Sequence, residues 1–195
     1  MKLGREDGVS CTVAPVPPVL RQWAVLDEIV ERVAEVDSVD GVILIGSFAG
    51  GEPDALSDLD LVAVAALGRL HEAWEARHDL AGDAFVMWEP QPSAGREIKW
   101  FNWLTHDLVK VECGIAAPGS KELAEPFAVV SGHASLADAF PRIESEVVKE
   151  RAGRRREEQQ VFNPDELTPE ERLGWKLSEM KDAVRAVLRS SIEPA

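Results

Sequence analysis

Short apolar runs alternate with polar segments along the first two thirds of the chain. Val42–Ile45 is a continuous apolar run between two glycines, and the apolar run Leu61–Val64 directly follows Asp60. This pattern is typical of short strands that are buried on both faces of a sheet. Further strands are predicted at residues 84–88, 98–104, 108–115 and 127–130, with 98–115 forming a hairpin.

Elsewhere the apolar positions recur about every 3.6 residues, which predicts helices at 19–36, 68–82, 137–160 and 168–190. The last helix carries start signals: Thr168 as cap, Pro169 at the first position and Glu171 as the capping-box acid. Its regular apolar stripe is typical of a helix that packs on another helix. That helix could belong to this chain or to a second copy, so a homodimer is an open alternative.

Two aspartates stand at the head of the second strand. Side chains alternate along a strand, so Asp58 and Asp60 lie on one face, about 7 Å apart, while Leu59 points into the opposite layer. Such carboxylates repel each other unless a cation lies between them, and Mg²⁺ prefers oxygen ligands of this kind. Upstream, Gly46 permits close approach of the backbone, and Ser47 offers a hydroxyl and an N–H group to a phosphate oxygen.

A third acid lies inside the predicted strand at 108–115. Lys110 and Glu112 share one face of that strand, and Val111 and Cys113 share the other. A charge within an apolar strand is costly unless it is paired. Either a metal ion or an ion pair, for example with Lys110, would remove the cost. Asp107 is a rival candidate, but it falls in the predicted turn, where Asp is common.

The segment Gly46-Ser47, a spacer and then Asp58-Leu59-Asp60 at the head of an apolar strand resembles the signature of the DNA polymerase beta-like nucleotidyltransferase superfamily. The resemblance implies transfer of a nucleoside monophosphate from a nucleoside triphosphate, with ATP the expected one, to a hydroxyl group. Asp58, Asp60 and Glu112 would be the catalytic residues and the ligands of two Mg²⁺ ions. Gly46 and Ser47 would hold the β and γ phosphates.

The same resemblance implies an α+β fold, a small mixed β-sheet with helices on one face. The resemblance covers about residues 20–130. The sequence is therefore divided into a flexible arm at 1–18, a nucleotidyltransferase catalytic domain at 19–135 and a C-terminal helical region at 136–195. Glu at the third acidic position is found notably among antibiotic-modifying members of the superfamily, so the resemblance is to aminoglycoside and lincosamide nucleotidyltransferases.

The charge distribution bears on the acceptor. The chain has a net charge of −14, and residues 1–140 carry 23 acidic against 10 basic side chains. Proteins that bind nucleic acid neutralise its phosphates with Lys and Arg, so this acidity disfavours a nucleic-acid template. It favours a small cationic acceptor, although many soluble proteins are simply acidic.

Two other functions remain open from the sequence. One is an antitoxin-type nucleotidyltransferase that adenylylates a protein; the other is a degenerate module that only binds nucleotide. Without a signal peptide or a long apolar run, we expect a cytoplasmic protein with no membrane contact. Two cysteines indicate no disulfide framework, and Cys113 is expected in the core.

Overall fold

A computed structural model describes residues 21–89, 98–120, 122–144, 146–147 and 168–192 of the chain. The predicted arm at 1–18 lies outside the described residues. The elements in chain order are α1 Arg21–Val33, β1 Val39–Ile45, α2 Gly46–Gly50, β2 Leu59–Ala65, α3 Leu70–Glu75, α4 Arg77–Ala81, β3 Val86–Trp88, β4 Ile98–Leu104, β5 Lys110–Ala116, β6 Leu123–Glu125, β7 Ala128–Ser131, a 3₁₀ helix Ala134–Ala139, β8 Arg142–Glu144 and α5 Pro169–Ile192.

Six strands form one mixed sheet in the order β3-β4-β5-β2-β1-β7. The central pair, β2 and β5, is parallel, whereas the other neighbouring strands run antiparallel. The short strands β6 and β8 pair in parallel as a separate ribbon. The fold is therefore α+β with a mixed sheet, as the sequence predicts.

The two faces of the sheet are covered differently. On one face, α1, α3 and α4 bury an apolar layer that includes Ile29, Leu61 and Trp103. On the other, Ile43, Val62 and Val64 pack against the region of the β6–β8 ribbon and the 3₁₀ helix. The second layer covers the apolar part of its face and leaves the polar end of the central strands outside it.

Two of the predicted segments have a different structure. Residues 46–50 form the short helix α2 instead of a turn, because Phe48 is fully buried there and packs edge-to-face on Trp23. The predicted helix at 137–160 is wrong at residues 142–144, which form β8. Pro141 precedes β8 and cannot extend a helix, and its carbonyl oxygen accepts a hydrogen bond from the N–H of Leu123 at the start of β6. Residues 148–160 lie outside the described residues.

The last helix begins as the sequence predicts. Thr168 Oγ1 accepts a hydrogen bond from the N–H of Glu171, and the Glu171 carboxylate accepts one from the N–H of Thr168. Trp175 and Leu177 then pack against a small apolar cluster on β3 and β4. Trp175 and Leu177 of α5 thus pack on the edge of the sheet, whereas Leu173, Met180 and Val184 of its apolar stripe are exposed.

Cys113 is fully buried in β5, which confirms its expected place in the core. Burial raises the pKa of its thiol to about 12. Within the described residues, no helix combines the length and the apolar character needed to span a bilayer.

Candidate active site

The loop before β2 is held in place by α1. Asp54 Oδ1 accepts hydrogen bonds from the N–H of Leu56 at 2.9 Å and from Ser57 Oγ at 3.0 Å, a local turn of the kind Asp commonly forms. The side chain of Gln22, buried at the start of α1, donates to the Ser57 carbonyl oxygen at 3.0 Å. These bonds fix the position of Asp58, the next residue along the chain.

The register of the parallel pair brings the predicted acids together. Asp60 on β2 lies directly opposite Glu112 on β5, and Leu59 lies opposite Val111. Because side chains alternate, Asp58 and Asp60 share a face with Lys110 and Glu112. All three acids predicted from the sequence therefore lie at one end of the two central strands, on the face opposite α1.

Two lysines bind these acids. Lys181 Nζ, from α5, donates to Asp58 Oδ1, and Lys110 Nζ lies 3.6 Å from Asp58 Oδ2. Lys110 Nζ is also 2.5 Å from Glu112 Oε1. Lys110 and Glu112 thus form an ion pair. Such a pair is one of the two ways in which the cost of a charge within the apolar strand could be removed.

Lys110 is the most enclosed of the charged groups, since only 7% of its side chain is exposed. Burial by itself lowers the pKa of its ammonium group. The Glu112 carboxylate, and after it Asp58, outweigh that effect and hold the pKa of Lys110 above its ordinary value. Lys110 is therefore charged at neutral pH and acts as a fixed counter-ion for both acids.

Gly46 lies directly against Asp60. Its φ is 70°, in the left-handed region that glycine adopts readily. A Cβ at this position would lie 3.2 Å from Asp60 Cγ and would overlap the carboxylate oxygen. The glycine thus allows the backbone at the start of α2 to approach this carboxylate.

Gly46→Ala is expected to destabilise the fold and to displace the Asp60 carboxylate. Any activity that depends on this carboxylate should then be lost. Gly68→Ala is the matched control, because Gly68 has a φ of 77° but no atom within 4 Å of an added Cβ. We expect Gly68→Ala to lower the free energy of unfolding by about 1 kcal/mol through strain alone. Gly46→Ala should cost at least about 1 kcal/mol more, because the added Cβ overlaps Asp60.

Urea unfolding of the two variants measures this difference. Equal losses of stability in the two variants would contradict the close contact between Gly46 and Asp60.

The resemblance implies two bound Mg²⁺ ions, which would require ligand side chains in a suitable arrangement. In the described part of the chain, no group of three or more Asp, Glu, His or Cys side chains has an arrangement that could hold a metal ion. Asp58 and Glu112 have ammonium groups against their carboxylate oxygens, from Lys110 and Lys181. The chemical type of the donors suits Mg²⁺, since carboxylates supply hard oxygen ligands, but these three carboxylates would have to move to share an ion. Bound Mg²⁺ would have to displace or share these ammonium contacts.

Three polar residues near the site do not follow from the motif. Lys181 is distant in sequence, although one signal was available: it lies four residues after Leu177, on the apolar face of α5, where a lysine is out of place. Gln22 is similarly a polar residue within a helix that is otherwise apolar on its inner side. Asn102 is buried on β4 opposite Glu112, and no sequence signal singles it out.

Comparison of the sequence with protein-family models and with curated proteins finds no match. The site itself combines three acids at one end of the two central strands, a glycine against one of them and two lysines as counter-ions.

Proposed function

We propose that the chain is a Mg²⁺-dependent nucleotidyltransferase that moves a nucleoside monophosphate from a nucleoside triphosphate, ATP being the first choice, to a hydroxyl group of a small acceptor. The observation that carries this proposal is the register of β2 and β5, in which Asp60 and Glu112 are neighbours on one face. The close approach of Gly46 to Asp60 supports it, because the residues that hold phosphate and the carboxylates that hold metal have to be adjacent for this chemistry.

Each residue has a role in this proposal. Asp58, Asp60 and Glu112 would hold two Mg²⁺ ions, which supply Lewis-acid stabilisation of the charge on the reacting phosphoryl group. Gly46 and Ser47 would bind the β and γ phosphates through backbone N–H groups and the hydroxyl.

In the reaction, the acceptor oxygen forms a bond to the α-phosphorus and the bond from that phosphorus to pyrophosphate breaks. Glu112, with about a third of its side chain exposed, would either hold the Mg²⁺ ion at the acceptor or take the proton of the acceptor hydroxyl. Lys110 would hold Glu112 in position, because it pairs with the carboxylate from within the same strand.

The acidity of residues 1–140 supports an acceptor that carries positive charge. That charge would lie outside the cluster formed by the three acids and the two lysines. An acceptor with positive charge would be attracted to this surface, and a nucleic acid would be repelled. Aminoglycoside- and lincosamide-like molecules are therefore the first acceptors to test, and antibiotic resistance is the biological role that they would imply.

The test is transfer of radiolabel from α-³²P nucleoside triphosphates in the presence of Mg²⁺. The panel of acceptors includes aminoglycosides, lincosamides and the proteins that co-purify with the chain. We expect label on a small molecule, dependent on Mg²⁺, with one nucleotide preferred. Label on a protein instead would favour the antitoxin-type alternative, and nucleotide binding without label on any acceptor would favour the non-catalytic module.

A further inference from the structure

A cavity of about 320 Å³ opens beside the candidate active site. It lies between the start of α1, the loop before β2, the turn between β4 and β5, and α5. Lys181 lines this cavity and also pairs with Asp58. Lys181 therefore links the cavity to the cluster of carboxylates, although none of these acids lines it. The volume of the cavity is within the range of small-molecule sites.

The lining of the cavity is mostly hydrocarbon. Its apolar walls include Leu56, Leu104, Leu108, Leu177, Met180 and Val184. The charged groups among its described lining residues are Arg21 and Lys181, both cationic, and none of the described lining residues is acidic. The cavity therefore suits an uncharged apolar group and does not suit a part of a ligand that carries positive charge.

Leu108, at the rim of this cavity, has an unusual conformation. Its φ is 60°, in the left-handed region where leucine is uncommon and asparagine or glycine is ordinary. The turn requires this geometry, because the N–H of Leu108 donates to the Thr105 carbonyl oxygen and the N–H of Val109 donates to Thr105 Oγ1. Yet 60% of the leucine surface is exposed. A strained backbone that presents an exposed apolar side chain is typical of a binding site.

The order of the strands places the cavity on a particular side of the carboxylates. β1, which ends next to Gly46, pairs with one edge of β2, and β5 pairs with the other edge. The cavity adjoins the start of β5 and the turn before it. A triphosphate held at Gly46 would thus approach from the side of β1, and the side of β5 would be left for the acceptor.

We propose that this cavity binds the hydrocarbon end of the acceptor, so that the acceptor is an amphipathic molecule whose hydroxyl reaches Asp58 and Glu112 while its apolar end contacts Leu108, Met180 and Val184. This inference rests on the proposed function. It narrows the acceptor class, since a uniformly polar polycation would leave the cavity unfilled. Any positive charge on the acceptor lies outside the cavity, towards the acidic surface.

A binding experiment without nucleotide tests the cavity separately from catalysis. Isothermal titration calorimetry compares n-octyl β-glucoside, kept below its critical micelle concentration, with methyl β-glucoside. The two probes share the same hydroxylated head and differ in the hydrocarbon tail. We expect the octyl compound to bind at least about tenfold more tightly, because only its tail can fill the cavity.

Two variants locate the bound tail. Val184→Asp adds a carboxylate to the lining at a position on α5 that is 53% exposed, and Leu108→Asn removes the apolar rim while relieving the strained backbone. Both should weaken octyl glucoside binding at least about tenfold, and Leu108→Asn should unfold at the same or a higher urea concentration than the wild type. Leu67→Asn is the matched control, since Leu67 is 89% exposed and does not line the cavity. Its affinity should be unchanged.

Equal binding of the two glucosides, or tighter binding that neither cavity variant weakens, would overturn this proposal. A wild-type dimer in sedimentation velocity that Val184→Asp converts to a monomer would also overturn it, because a second copy of the chain would then cover the cavity. These outcomes are independent of the labelling experiment. A chain that binds the octyl probe but transfers no nucleotide would retain the cavity site and lose only the proposed function.

Discussion

Asp60→Asn is expected to leave the chain folded and to lower nucleotidyl transfer by at least about 10³-fold. The amide keeps the shape of the carboxylate in its contact with Gly46. It removes the negative charge that would hold Mg²⁺, and a loss of several kcal/mol of charge stabilisation corresponds to a rate loss of this size. Transfer of radiolabel from the α-phosphate measures the rate, and circular dichroism with thermal unfolding checks the fold.

Asp40→Asn is the matched control for that variant. Asp40 is an exposed acid on β1, in the same sheet but away from the candidate active site. It should retain wild-type activity. A folded Asp60→Asn protein with full activity would remove Asp60 from the site and with it the central argument for nucleotidyl transfer.

Lys110→Met is expected to lower the free energy of unfolding by about 2–3 kcal/mol. The substitution leaves Glu112 without its ammonium partner at 2.5 Å and removes one of the two cations near Asp58. The loss is below the usual value for a broken buried ion pair, because Asp58 keeps Lys181 and Glu112 is partly exposed. Urea unfolding at pH 7 gives the value.

Lys99→Met is the control for that loss. Lys99 is a half-buried lysine on the neighbouring strand β4, and its ammonium group lies 5.2 Å from the centre of the Trp74 ring. Loss of this contact should cost less than about 1 kcal/mol. If Lys110→Met is as stable as the wild type, the buried lysine does not stabilise the acids.

The stabilisation by Lys110 should also depend on pH in a defined direction. The pKa of Lys110 is raised in the folded chain, so the folded state holds this proton more tightly than the unfolded state. The difference in stability between wild type and Lys110→Met is then fully present below the unfolded lysine pKa of about 10.4. It is lost as the pH rises through the folded pKa.

The same variant distinguishes two roles of Glu112. If Glu112 holds Mg²⁺, removal of the competing ammonium group should raise the affinity for Mg²⁺ measured by calorimetry. If Glu112 serves only as the ion-pair partner of Lys110, stability should fall while the affinity for Mg²⁺ stays unchanged.

Secondary structure and burial could be predicted from the sequence where the structure follows local patterns. β1, β2 and the hairpin of β4 and β5 could be predicted because each is an apolar run bounded by turn residues. The start of α5 could be predicted because its capping box lies within four residues, Thr168 to Glu171. Cys113 was correctly placed in the core by its alternation with polar neighbours.

Prediction failed where tertiary contacts outweigh the local pattern. Phe48 is drawn into the core, which converts a glycine-rich segment into α2. β8 pairs with β6 although its own sequence has an ordinary helical composition. This strand could not be predicted, because pairing with a distant segment cannot be inferred from one stretch of sequence.

The shared face of Asp58, Asp60, Lys110 and Glu112 could be predicted, because these residues lie in two strands or directly before one of them. The pairing of Asp58 with Lys181 could not, because it joins residues 123 positions apart. Nucleotidyl transfer itself stays a prediction, which the radiolabel experiment and the Asp60→Asn variant test.

The parallel pairing of β2 with β5 has a consequence for the order of folding. These strands are separated along the chain by two helices and two other strands, so they meet only after a long loop has closed, and such non-local contacts form slowly. Until then Asp58 and Asp60 are solvated and distant from Glu112. When β5 docks, Lys110 and Glu112 arrive together on one strand as a neutral pair. The cluster of three acids therefore forms without an uncompensated negative charge being brought against two others.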